Sequence, residues 1–130
     1  MLKRTIIFIF GLALLVVCIG GIFMAIIKNK SPDIEPFEVS EYQYYIDNFS
    51  SEDNLGKISN SKDLIEKVEA IWIEKYGEQI KNQKPYHVFY DEENGIWLVQ
   101  GTLRFNMTGG VANILVDNDT GKVLAIWHDK

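Results

Sequence analysis

Pro85-Tyr86-His87-Val88-Phe89-Tyr90-Asp91-Glu92-Glu93-Asn94-Gly95-Ile96-Trp97-Leu98-Val99-Gln100-Gly101-Thr102-Leu103 reads as two β runs and the turn that joins them. Pro85 to Tyr90 is rich in aromatic and β-branched side chains, the residue types that pack on a pleated surface. Ile96 to Leu103 puts Trp97, Val99 and Leu103 on one face and Gln100 and Thr102 on the other. Between the runs, Asn94-Gly95 closes an acidic turn and is a strong hairpin signal, because both residues tolerate positive φ. Gly101, on the inward face, predicts a bulge or close packing of the helix.

On the N-terminal side of this hairpin the period changes from two to 3.6. Leu64, Ile65, Val68, Ile71, Trp72 and Tyr76 form one apolar face of a helix running from about Asn60 to Tyr76. Asn60 or Ser61 can cap its start, Asp63 sits favourably in the first turn, and Gly77 suits the C-terminal cap. On the other side, Arg104 to Gly109 reads as a loop and Gly110 to Val116 as a third strand. Asp117 to Gly121 turns the chain, and Lys122 to His128 is a fourth strand. One long helix packed on a four-stranded antiparallel meander is an α+β plan.

The flanks divide the chain into three parts: a membrane anchor over 1–30, an acidic tether over 31–57 and a folded domain over 58–130. In the tether Pro32 and Pro36 break helix, and Tyr42 to Phe49 is aromatic enough to dock on the domain as a short helix covering one end of the sheet. Thr5 to Ile27 is a run of 23 residues without a charge. As a helix it spans the roughly 30 Å hydrocarbon core, and it lacks the polar stripe of a helix in a globular core. A cleaved signal peptide would have a shorter apolar region and a small-residue cleavage site, which Met24-Ala25-Ile26-Ile27-Lys28 does not offer. A lipoprotein signal would have a small residue where Val17 precedes Cys18. The reading is a single-pass transmembrane helix with the domain on the outer, periplasmic or extracellular side, although Lys3 and Arg4 nearly balance Lys28 and Lys30.

The net charge of −5 hides an asymmetry. Residues 1–30 carry four bases and no acid, so the remaining hundred carry nine bases and all 18 acids. That balance argues against nucleic acid, whose phosphates need Lys and Arg, and it fits either solubility or a basic protein partner. Cys18 is the only cysteine, so the domain has neither a disulfide framework nor a thiolate metal site.

Motifs for chemistry are weak. Asp117-x-Asp119-x-Gly121 resembles the opening of a calcium loop, but its glycine falls one place early and the closing acid is missing. His87 and His128 lie on expected strands with no nucleophile and no third member. Gly109-Gly110 opens a strand, not a helix, and reads as a backbone bend where side chains would clash. No catalytic, cofactor or metal residue is assigned, and the chain is read as not an enzyme.

Tyr76-Gly77, Lys84-Pro85-Tyr86, Trp97-x-Val99-x-Gly101-Thr102-Leu103, Gly109-Gly110-Val111, Asp119-Thr120-Gly121-Lys122-Val123-Leu124 and the closing His128-Asp129-Lys130 occur in that order. Together they resemble the bacterial immunity proteins with a nuclear transport factor 2-like fold, over about Ser61 to Lys130. The family often has proline where this chain has Arg104, and glycine where it has Asp129. The resemblance implies a cystatin- or nuclear transport factor 2-like fold and a protein that binds and neutralises a cognate toxin. A weaker resemblance is to PepSY-type envelope domains, and a third reading is a small-molecule pocket protein or enzyme. For partner contact, two exposed segments stand out. Asp91, Glu92 and Glu93 form an acidic hairpin tip suited to steering a basic partner. Arg104 and Phe105, followed by Asn106 and Met107, have the composition of an interface centre.

Overall fold

Ile34–Pro36 forms a strand, β1, within the segment that reads as a tether. The computed structural model describes residues 32–105 and 108–130. Along them β1 is followed by a 3-10 turn (Val39–Tyr42), helix α1 (Gln43–Asn48), helix α2 (Ser61–Tyr76) and a second 3-10 turn (Glu78–Gln83). Strands β2 (His87–Asp91), β3 (Ile96–Gln100), β4 (Ala112–Asp117) and β5 (Val123–His128) complete the order. The last four pair antiparallel as the meander requires, whereas β1 adds to β2 in parallel, with Ile34 opposite Val88 and Pro36 opposite Tyr90. The sheet thus has five strands, not the four expected. A three-residue strand exposed at every position has no burial period to read, and its partner lies far along the chain. Pro36 is tolerated because β1 is an edge strand.

Helix α2 begins where the sequence places it. Asn60 Oδ1 accepts the Asp63 N–H at 2.9 Å, and Asp63 reaches back to the Ser59 N–H at 3.0 Å. The Ser59 N–H, with Lys67 at 2.9 Å, holds the Asp63 carboxyl below its usual range. Gly77 ends the helix with φ +94°, its N–H donating to Ile73 O at 2.8 Å. Leu64, Val68 and Trp72 are wholly buried against Val88, Trp97, Val99, Ile114 and Val116 of the sheet. Trp72 and Trp97 share this core, but their ring partners differ. Trp72 meets Tyr86 edge-on at 5.1 Å, and Trp97 lies tilted on Tyr90 at 4.4 Å.

The opposite face of the sheet is covered too. Ile96, Leu98, Leu115, Ala125 and Trp127 form a second cluster, closed by Phe37, Val39, Tyr42, Tyr45 and Ile46. Tyr45 stacks on Trp127 at 4.1 Å with 13° between the rings. The docking expected of Tyr42 to Phe49 therefore takes place, but on a face of the sheet instead of at one end, with α1 lying against β5. Two covered faces explain why β3 and β4 are buried at nearly every position instead of alternating.

Strand β3 ends at Gln100, so Leu103 is half exposed instead of facing the core. The cause is the second 3-10 turn. Gln83 O accepts the Thr102 N–H at 2.7 Å, and Gln83 Oε1 accepts the Ala112 N–H at 2.8 Å. A Cβ on Gly101 would come within 2.2 Å of that Oε1. Close packing therefore does explain Gly101, but the partner is Gln83 and not α2.

Among the described residues no helix is long and apolar enough to cross a membrane. The anchor expected over Thr5–Ile27 lies outside the described residues, as do Asn106 and Met107 of the second candidate segment.

Candidate functional site

The β2–β3 tip is held by Asp91. Its Oδ2 accepts the Val39 N–H at 2.9 Å and Asn94 Nδ2 at 2.9 Å, and its Oδ1 accepts the Asn94 N–H at 3.0 Å. These donors, the Val39 N–H foremost, hold its carboxyl below the usual range. Asp91 is only 5% exposed, so it is not the surface acid that the sequence suggests. A run of three acids at a turn does not reveal which one turns inward to receive backbone N–H groups. Glu92 and Glu93 do project into solvent.

Next to this tip is an open groove of about 440 Å³, lined by Ile34 to Glu38 and Tyr90 to Glu93. It places Glu35 and Glu38, both exposed, beside Glu92 and Glu93. Sequence reasoning missed the first two. They reach the tip only because β1 pairs in parallel with β2, and no local pattern announces that pairing.

Arg104 and Phe105 lie at the other end of β3. Arg104 Nη2 donates to Lys84 O at 3.1 Å, and the Phe105 ring is fully exposed. The structure does not join the two predicted segments into one patch. Ile96 and Gln100 bound the strand between them, a separation of roughly 14 Å at about 3.4 Å per residue. The sheet face around Gln100 and Asn113 is not free either. Gln100 Nε2 donates to Asn113 Oδ1 at 2.8 Å, and Asn113 is 1% exposed.

Thr102, both histidines, Asp117 and Asp129 are occupied in holding the chain. Thr102 hydroxyl bonds Pro85 O and lies 2.9 Å from His87 Nε2. His128 takes Gln83 Nε2 at 3.0 Å on one ring nitrogen and Asp129 O at 2.7 Å on the other. Asp117 Oδ1 accepts the N–H groups of Asp119 and Thr120 and the Thr120 hydroxyl, which makes the calcium-like sequence a turn. Gly109 has φ +95°, and a Cβ on Gly110 would lie 2.4 Å from the Asp129 carbonyl carbon, so the Gly-Gly pair is the backbone bend expected. Asp129, where the resemblance expects glycine, accepts from Trp127 Nε1 at 3.2 Å and Asn113 Nδ2 at 3.2 Å. Among the described residues no group of three or more His, Cys, Asp or Glu is placed to hold a metal ion.

No curated protein and no solved structure matches the chain. A family model described as NTF2 fold immunity protein matches residues 65–130, just over half of the chain and all of the meander with most of α2. The match names the first of the resemblances drawn from Trp97, Gly101, the Gly-Gly pair and the Asp119–Leu124 turn. With its helix-covered sheet and those glycines at the points of close approach, the chain belongs to the NTF2-fold immunity protein family that this match describes.

Proposed function

We propose that this immunity protein acts by binding and neutralising a cognate protein toxin, with no catalytic chemistry of its own. The family match over residues 65–130 carries the reading. It is supported by the employment of both histidines, Asp91 and Asp117 in holding loops, which leaves the exposed groups at loop ends as the natural contacts. Glu92 and Glu93 steer a basic toxin, with Asp91 setting the shape of the tip. Arg104 and Phe105 lengthen the residence of the complex. Thr5 to Ile27 tethers the domain to the membrane, on its outer side.

The test is co-expression with each candidate toxin encoded beside this gene. The chain protects the host and the two proteins co-purify at the wild-type sequence. A host killed equally with and without the chain overturns the proposal. Membrane attachment is checked separately: the full chain stays with membranes through carbonate extraction, and its recovery intact in the soluble fraction refutes the anchor.

A further inference from the structure

The groove beside the hairpin tip combines two features that seldom occur together on a surface already well supplied with charge. Among the residues that line it, Ile34, Pro36, Phe37 and Tyr90 are apolar or aromatic, and Ile34 is 49% exposed. Glu35, Glu38, Glu92 and Glu93, all exposed, line it too, and among the described residues no Lys or Arg does. Among the described residues the ion pairs lie elsewhere, joining Lys67 to Asp63, Lys81 to Glu78 and Lys84 to Glu69. Asp91 also borders the groove, but its oxygens are committed to Val39 and Asn94, so it fixes the walls and is not free to bind.

A groove that joins apolar side chains to carboxylates paired with no cation among the described residues suits a side chain with an apolar stem and a cationic head. Arginine fits better than lysine. Its flat guanidinium presents donors in several directions to separate carboxylates, is weakly hydrated and packs well along apolar and aromatic side chains. We infer that this groove receives an arginine side chain from an exposed segment of the toxin. The identity of the donor as the toxin rests on the function proposed above, whereas the preference of the groove for arginine does not. Glu35 and Glu38 thereby join Glu92 and Glu93 as partner contacts, and β1 becomes part of the working surface.

The experiment uses the full chain and a fluorescein-labelled pentapeptide of alternating alanine and arginine, followed by fluorescence anisotropy at low salt. A second peptide carries citrulline, the neutral isostere, at each arginine. The arginine peptide binds about tenfold more tightly than the citrulline peptide. Combining Glu35→Gln, Glu92→Gln and Glu93→Gln removes that difference. Combining Glu52→Gln, Glu66→Gln and Glu74→Gln, which changes the net charge equally at exposed acids outside the groove, retains it. Equal loss in both triple variants means a general charge effect and overturns the inference, as does equal binding of the two peptides. Binding that emerges only after Lys28→Gln and Lys30→Gln assigns the groove to the chain's own basic residues and overturns it too. With the toxin, failure of the wild-type chain to protect defeats the proposed function. Full protection by the groove variant defeats the toxin's use of the groove alone.

Discussion

The two faces of the sheet are closed by different means. Against one, α2 lays Leu64, Val68 and Trp72, all wholly buried, into a core that joins aliphatic side chains to the rings of Tyr86 and Trp97. Against the other, a short irregular segment lays Phe37, Tyr42, Tyr45 and Ile46, all partly exposed, and relies on ring-to-ring contacts around Trp127. The first layer is built by regular periodicity. The second depends on shape-matched aromatics and on one carboxylate, Asp91, that grips the Val39 N–H. A helix brings its own hydrogen bonds to the interface, whereas an irregular strap must find partners on the domain it covers.

The largest effect belongs to the helix face. Trp72→Ala and Trp97→Ala each remove a large buried ring and cost about 3–5 kcal/mol, read as a fall in the urea midpoint at unchanged slope. On the aromatic face, Tyr45→Ala removes a half-buried ring and its stacking on Trp127, and costs about 1–2 kcal/mol. Equal losses in the two would erase the distinction and make the strap as much core as α2.

Acid sharpens the comparison further. The Asp91 carboxyl is held below its usual range, so its contribution is fully present above the unfolded carboxylate value, about 4, and fades as pH falls through the lower folded value. The Trp127 side, which Asp91 secures through Val39, therefore loosens on acidification. The proposed readout is amide exchange at Tyr45 and Val68 across the acid range. Asp91→Asn lowers stability at neutral pH and flattens its acid dependence, and a variant with the wild-type acid profile would remove Asp91 from this role. Glu69 adds to the same limb from the helix side. Burial pushes its carboxyl up, but the hydrogen bonds from Lys84 at 2.9 Å and Tyr86 at 2.8 Å outweigh it and hold it low. The smallest effect on stability is expected at the loop beyond β3. Arg104→Ala with Phe105→Ala stays within about 0.5 kcal/mol of wild type, since neither side chain is buried, while toxin dissociation quickens.

How legible each region was follows from the range of its interactions. Asn60, Asp63 and Gly77 mark α2 through contacts within four residues, and Asn94-Gly95 marks its hairpin, although of the two only Gly95 takes a positive φ, +66°. The Gly101 and Gly110 positions announced a close approach without saying by what, because Gln83 and Asp129 come from elsewhere in the chain. The acid tip was legible as a charged turn, but the inward rotation of Asp91 was not. That rotation answers to Val39, which only the folded strap brings within reach.

By itself the sequence determined the α2 helix, the four-stranded meander, the uncharged stretch Thr5–Ile27 and the family to which residues 65–130 belong, since each is written in local periodicity, turn chemistry or ordered motifs. Only the tertiary structure decided that the segment after Ser31 supplies a fifth strand and a second covering layer. It also brought Glu35 and Glu38 to the rim that Glu92 and Glu93 begin. Parallel pairing between β1 and β2 is a long-range choice made by backbone hydrogen bonds, which leave no repeat in the sequence of a three-residue strand.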